Sequence, residues 1–385
     1  MSKPGADGSS RPLFRLFGRN YLKTTRYPLV LVLIVAAVDC VWRVLLGKTK
    51  PGPPPSFDGK HVVVTKLDHL GDVLILSAFL QTLRRETSDL RITLIVGSWC
   101  RGLAEIYQRL GLCEEVLTYD AAGCNKQMSF AQALRKQFFD FWRVRRELLQ
   151  RRPDALIDLR ERSPNTLLLA RLSQIPFRAG FGVRGLSFTL HHEFPYQPGA
   201  SLGQMYLDAL ASLGFPPATY ERPLLELPDR PWTIPGVNPS ERYLVIHPAS
   251  RDVMREASPE FWRTVFQAAA GVEKIVAVGG RGDQERYEFL AALGDPRYVN
   301  LMGETSLEEL LYLVKNAHRA VVIDSFVAHI ALAFQVPELL IMAPGFAIAA
   351  SFPKSSPFVL TITSDASPAS LTARIGTLFQ NTFPR

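Results

Sequence analysis

From His61 onward, short runs of β-branched and aliphatic residues alternate with stretches of helical period. Val62-Val63-Val64-Thr65 reads as a strand buried on both faces, followed by a loop and a helix from about Asp72 to Arg85. Arg91–Val96 and Ala155–Asp158 read as further strands, and helical spacing fills Ser129–Gln150, Asn165–Leu172 and Leu202–Leu213. Strands that alternate with helices predict βαβ units on a parallel sheet. Between Phe215 and Pro239 the periodicity disappears and seven prolines accumulate, which marks a linker. The alternation restarts at Tyr243–Ile246 and recurs at Lys274–Val278, Ala320–Ile323 and Leu339–Met342. The pattern thus predicts two α/β domains, over 61–214 and 241–385, joined by residues 215–240. Domains of this kind bind ligands at the carboxyl ends of their strands, so the site is expected in a cleft between them.

The first 60 residues differ. Leu29 to Leu46 is an apolar run of about the length that spans a bilayer, interrupted by Asp39 and Arg43. Asp39 and Trp42 stand where a signal peptide would need small residues for cleavage. The preferred reading of residues 1–50 is a shallow anchor with its apolar face in the membrane interface and its basic flank on anionic lipid; a spanning anchor and a soluble first helix are the alternatives. Lys50-Pro51-Gly52-Pro53-Pro54-Pro55 then reads as a stiff spacer, and 51–60 as a linker.

Charge sharpens this division. The chain has 385 residues and a net charge of +8, but residues 1–60 hold ten Lys and Arg against three acids, leaving 34 basic and 33 acidic side chains in the remainder. The excess belongs to the N-terminus, so nucleic acid is not expected as a partner of the main body. Cys40, Cys100, Cys113 and Cys124 form no C-x-x-C pair or zinc-knuckle spacing and read as reduced thiols of a cytosol-facing protein.

Motifs narrow the chemistry. There is no Walker A sequence, and Gly279-Gly280-Arg281-Gly282 lacks dinucleotide spacing, which disfavours a nicotinamide enzyme. No D-x-D occurs, so no Asp pair of that kind holds a metal on a nucleotide diphosphate; phosphate charge would fall to helix N-termini and cationic side chains. The stretch Val62–Leu74, with Lys66, Asp68 and the pair Gly71-Asp72, resembles the first strand and loop of the glycosyltransferase family 9 heptosyltransferases. Ile246-His247-Pro248-Ala249-Ser250 through Arg255 resembles that family's HPG-type strand end, Gly303–Leu307 its G-x-T-S-L, and Asp324-Ser325-Phe326-Val327-Ala328-His329 its D-[ST]-G-x-x-H. The four blocks keep the family order over residues 61–345. The resemblance implies a GT-B fold of two Rossmann-like α/β domains and an inverting, metal-independent transfer from a nucleotide-activated sugar. ADP-heptose is the implied donor, a lipopolysaccharide-type or other lipid-linked glycan the acceptor, and the cytoplasmic face of the inner membrane the location. No cofactor beyond the donor is implied.

Carried onto this chain, the resemblance makes Asp72 the catalytic carboxylate. A carboxylate on that strand-to-helix loop can take the proton from an attacking hydroxyl, although it also suits a helix N-terminus electrostatically. Asp68 is a competing base, and it and Lys66 are expected to meet the acceptor. Asp324, Ser325 and His329 are expected to bind the donor nucleotide, with Arg255 in place of the family's phosphate-binding lysine. His247 and Ser250 close their strand and join the donor set, unless they are plain turn residues, and Asp283 is within reach of a ribose diol. Two positions depart from the family: Phe326 replaces its glycine and Ala257 its aromatic. They motivate the alternative of a catalytically silent GT-B binding or scaffold protein. A two-domain binding protein or a nucleotide-sugar epimerase would share the architecture without needing Asp72.

Overall fold

The computed structural model describes residues 13–16, 19–22, 29–121, 129–161, 165–183, 185–197, 199–229, 232–238, 240–250, 255–269, 271–344, 352–353 and 355–380. It divides between Tyr220 and Glu221 into two compact units. The first begins with an antiparallel hairpin, β1 (Leu13–Leu16) and β2 (Arg19–Leu22), and helix α1 (Leu29–Leu46). There follow β3 (His61–Lys66), α2 (Leu70–Arg85), β4 (Arg91–Val96), α3 (Arg101–Arg109), β5 (Glu115–Thr118), α4 (Phe130–Arg151), β6 (Ala155–Asp158), α5 (Asn165–Leu172), β7 (Phe177–Gly180), β8 (His192–Glu193) and α6 (Leu202–Ser212). The six strands from β3 to β8 form one parallel sheet in the order β5-β4-β3-β6-β7-β8. Parallel neighbours need crossovers, and right-handed crossovers put helices on opposite faces either side of the point where the strand order reverses. That point is the β3–β6 pair, where Thr65 sits opposite Asp158. Over one face, Val144 and Leu148 of α4 and Leu169 and Ala170 of α5 bury Val63, Ile95 and Leu156. In the other layer the Tyr107 hydroxyl of α3 donates to the Val73 carbonyl of α2 at 2.9 Å.

The second unit repeats this plan with β9 (Tyr243–His247), α7 (Pro259–Ala268), β10 (Lys274–Ala277), α8 (Glu288–Ala291), β11 (Tyr298–Asn300), α9 (Leu307–Lys315), β12 (Arg319–Ile323), α10 (Phe326–Ala333), β13 (Glu338–Met342), β14 (Val359–Thr363) and α11 (Pro368–Gln380). Its parallel sheet has the order β11-β10-β9-β12-β13-β14, and the reversal falls between β9 and β12, with Val322 opposite His247. Trp262 and Phe266 of α7 and Ile375 and Leu378 of α11 cover Leu244, Ile246, Val321 and Leu339 on one face. Helix α2 starts two residues before the predicted Asp72, because the Asp72 carboxylate, in its third position, reaches back to the His69 N–H at 3.0 Å.

The structure corrects the spanning alternative and the separating spacer expected of residues 1–60. Among the described residues no helix is long and apolar enough to cross a membrane, which removes the spanning alternative. Helix α1 is not set apart from the body by a spacer. Trp42 and Leu46 pack on Leu167, Leu186, Phe188 and Leu190, and Arg171 of α5 donates to the Leu46 carbonyl at 2.8 Å. Asp39, which interrupts the apolar run, is buried and accepts from the Leu186 N–H at 2.8 Å. The residue beside it, Gly185, has φ +109°, and a Cβ there would lie 3.0 Å from both Asp39 Oδ1 and Val35. The proline segment is equally tied down. Thr49 N–H donates to the Phe188 carbonyl, Gly52 N–H to that of His191, and buried Phe57 contacts Phe177 and Phe215.

The docking of α1 and the burial of Glu338 in the second unit are each testable. Trp42→Ala should cost about 1–3 kcal/mol for a partly buried ring, and Gly185→Ala should also lower the denaturation midpoint. Unchanged melting of both variants would show that α1 does not dock. Glu338, fully buried at the start of β13, has no hydrogen-bond partner for either carboxyl oxygen among the described residues. Burial, aided by the Asp324 charge, raises its pKa well above the ordinary 4.5. The proton is therefore kept on folding and lost on unfolding. The associated stability is complete below about pH 4.5 and declines as pH rises towards the folded pKa. Glu338→Gln should flatten that decline in denaturant titrations between about pH 5 and 8. An unaltered slope would contradict the assignment.

Candidate active site

Each unit places polar side chains at the carboxyl ends of the two strands where its sheet order reverses. In the first unit, Lys66 ends β3 and pairs with Asp68 at 2.8 Å, both almost wholly buried. The Lys66 ammonium also donates to the Leu159 carbonyl at 3.2 Å and lies 5.3 Å from the Tyr206 ring centre. Burial opposes its charge, but Asp68, Tyr206 and Asp72 together outweigh this and the lysine pKa rises. Arg160, also buried, brings Nε to 3.9 Å from Asp68, and Trp99 donates to the Asp68 carbonyl at 2.7 Å. Beside them, Asp158 accepts from Thr65 at 2.5 Å and Thr166 at 2.7 Å. Its burial pushes the carboxyl up to about 6, against the charge of Arg160 and the two hydroxyls.

This cluster changes the roles expected of two residues. Lys66 and Asp68 lie beneath the surface and neutralise each other, so the pair builds the loop rather than presenting groups to an acceptor. Asp72 stays half-buried, with Oδ2 on the His69 N–H. Of the two aspartates proposed as a base, it is the one that keeps exposure.

In the second unit, His247 ends β9 and its Nδ1 is 2.7 Å from the Val278 carbonyl. A carbonyl only accepts, so the proton sits on Nδ1. Burial lowers the pKa, leaving a neutral ring with Nε2 as acceptor. Ser250 N–H donates to Glu256 at 3.0 Å, and Arg286 binds both Glu256 and the Ser250 carbonyl. Arg255 Nη1 meets Asp324 Oδ2 at 3.1 Å, joining the strand end after β9 to the one after β12. Ser325 precedes α10, and its buried hydroxyl oxygen has no hydrogen-bond partner among the described residues. One turn on, buried His329 stacks on Phe352, with ring centres 4.7 Å apart and planes at 22°. Phe326 is the first residue of α10 and half-buried.

Arg255, Asp324, Ser325 and His329 are thus gathered around one helix start. Asp283 belongs to another group: it accepts from the Gly280 N–H at 2.7 Å and lies 3.5 Å from Arg286. Sequence reasoning missed Arg160, Trp99, Tyr206, Glu256, Arg286 and Phe352. Only Glu256, beside Arg255, and Arg286, three residues after Asp283, carried a local signal. The α10 N–H groups, the Ser325 hydroxyl and a guanidinium together suit a multiply charged phosphate ester. Among the described residues no group of His, Cys, Asp and Glu is arranged to hold a metal ion.

Two doubly wound α/β units with polar strand ends at their reversal points define a GT-B-like glycosyltransferase architecture. Residues 141–344 match glycosyltransferase family 9 (heptosyltransferase), and the chain belongs to that family. Among solved structures it is similar to the family 9 glycosyl transferase of Veillonella parvula (TM-score 0.71, 17% identity, covering 84% of this chain and 98% of that one). It is also similar to E. coli ADP-heptose lipopolysaccharide heptosyltransferase II (TM-score 0.66, 17% identity, 83% and 98%). E. coli heptosyltransferase WaaC, solved with ADP, is a third (TM-score 0.64, 16% identity, 83% and 99%). At these identities the likeness is one of fold. No curated protein matches the chain by sequence.

The buried ion pair gives a test of its own. Lys66→Met should lower stability by about 3–5 kcal/mol by stranding the Asp68 charge, and adding Asp68→Asn should recover part of that loss. A double variant no more stable than Lys66→Met would contradict the pairing.

Proposed function

We propose that this protein transfers a heptose or related sugar, with inversion and without a metal, from a nucleotide diphosphate donor to a lipid-linked glycan of the lipopolysaccharide type. The observation that carries the reading is the convergence of Arg255, Asp324 and Ser325, 69 or more residues apart from Arg255 to the helix pair, at the start of α10. The ADP complexes of WaaC, one with ADP-2-deoxy-2-fluoro heptose, support ADP-heptose as the donor class. In the proposed step an acceptor hydroxyl attacks the anomeric carbon while Asp72 takes its proton. The bond from that carbon to the phosphate oxygen breaks with its electron pair, and the departing diphosphate keeps the negative charge. Arg255, the α10 amides and Ser325 stabilise that charge as it grows. His329, held flat by Phe352, adds a hydrogen bond to phosphate, and His247 and Ser250 line the same strand ends. Asp283 serves the ribose only by giving up its turn contact with Gly280. Nucleotide sugars are made in the cytoplasm, so the body is assigned to that side of the inner membrane.

Phe326 favours one competing reading, a catalytically silent binding protein, because its side chain begins the helix whose amides would approach the phosphates. The two readings separate on one residue. With ADP-heptose and a lipid-linked acceptor, Asp72→Asn should lower kcat by about 10²–10⁴-fold with little change in donor KM. Transfer should survive EDTA and yield the inverted anomer. Wild-type protein that binds the donor yet transfers nothing would select the silent reading. Full activity of Asp72→Asn, or an absolute metal requirement, would overturn the mechanism.

A further inference from the structure

Two helices of the first unit bury one face and leave an apolar stripe on the other. On α1, Ala36, Asp39, Trp42 and Leu46 face the body, while Ile34, Val38, Val41, Val44 and Leu45 are exposed, Val44 by 84%. Their spacing of three or four residues draws one stripe, about 16 Å long at 1.5 Å per residue. On α4, Ala133, Asp140, Val144 and Leu148 face inward, while Leu134, Phe138, Phe139 and Trp142 are exposed, the two phenylalanines by 59% each. These rings contact one another: Phe138 lies 5.8 Å from Phe139 and 6.3 Å from Trp142, centre to centre. Helix α5 contacts both. Arg145 of α4 donates to its Leu172 carbonyl, and its Arg171 donates to Leu46 at the end of α1. Both stripes therefore flank the same helix layer of one domain.

Among the described residues of α1 and α4 the exposed charges have one sign. Arg43, Lys48 and Lys50 are exposed at the end of α1, and Arg135, Arg143 and Arg146 on α4. The acids of both helices are withdrawn. Asp39 is buried against Leu186, Asp140 is buried and paired with Lys136 and Arg143, and Glu147 is paired with Arg151. Arg135 and Arg145 lie over the rings of Phe139 and Trp142, 5.8 and 5.5 Å from their centres. A second copy of the chain would bring cation against cation. A nucleic acid would leave the aliphatic stripe in water. Apolar side chains interleaved with aromatics and rimmed by cations match a surface that is anionic outside and hydrocarbon within.

We propose that the outer faces of α1 and α4 together form a docking surface for an anionic phospholipid bilayer, on which the folded first unit lies without spanning it. This goes beyond the expected N-terminal anchor, because α4, about 90 residues later, supplies half of the surface and needs no part of residues 1–28. It does not depend on the proposed catalysis, since neither stripe includes a residue of the candidate active site.

Vesicle flotation of the full chain tests this. The chain should float with vesicles of phosphatidylglycerol and phosphatidylcholine and much less with phosphatidylcholine alone, and raised salt should weaken the binding. Phe139→Glu with Trp142→Glu on α4, and separately Val41→Glu with Val44→Glu on α1, should each lower partitioning about tenfold or more while the melting curve stays unchanged, these positions being exposed. ADP binding, measured alongside, should be unaffected, which keeps failure here distinct from failure of the glycosyltransferase reading. Absence of binding to anionic vesicles would overturn the proposal, as would binding that ignores the α4 pair. So would a lipid-free dimer that both pairs of substitutions dissolve, because the occupant would then be a second copy.

Discussion

Parallel strands cannot be joined by a tight turn, and this constraint organises both units. Each connection must cross over a face of the sheet, and a right-handed crossover to either side of the first strand leaves one place where neighbouring chains depart in opposite directions. In the first unit that place is β3 beside β6, and in the second β9 beside β12. The Lys66–Asp72 loop and Asp158–Arg160 follow from the first reversal. His247–Ser250 and Asp324–Ser325 follow from the second. Chemistry collects there because the loops leave the sheet in opposite directions and expose strand ends between them.

The same position in two similar sheets is used in contrasting ways. The first unit spends its charges internally: Lys66, Asp68, Arg160 and Asp158 are buried and meet one another or threonine hydroxyls. A buried ion pair adds little net stability against an apolar replacement, but breaking it by losing one partner is costly. Its effect is to fix the shape of the loop that leads to Asp72. The second unit keeps its ion pair open: Arg255 and Asp324 remain partly exposed at the start of α10, beside a serine hydroxyl that has no described partner. Such a pair can exchange its internal contact for a ligand phosphate.

Legibility in the sequence followed burial. Central strands are covered on both faces and read as continuous apolar runs, so Val62–Thr65, Arg91–Val96, Tyr243–Ile246 and Ala320–Ile323 were each apparent. Edge strands were not. His192–Glu193 has two residues and Tyr298–Asn300 three, too few for a period to register. The motif residues around α10 could be placed because a strand end and a helix start are local features. Burial of Lys66 was hidden, because its partners Leu159 and Tyr206 arrive from elements 90 or more residues away. Asp39 misled for a related reason. In isolation it is a charge interrupting an apolar run, and only the contact with Leu186, 147 residues on, shows it as the point where α1 fastens to its domain. Cys100 and Cys113 are buried, Cys40 is exposed, and Cys124 lies outside the described residues.

The diphosphate site proposed at the start of α10 rests on Arg255, Asp324 and Ser325. Calorimetric titration of ADP tests it most directly, with AMP as the comparison. ADP should bind more tightly than AMP, and Arg255→Ala and Ser325→Ala should each remove most of that difference while leaving AMP binding little changed. Equal affinity for ADP and AMP in the wild type, or a preference for ADP that survives both substitutions, would contradict it.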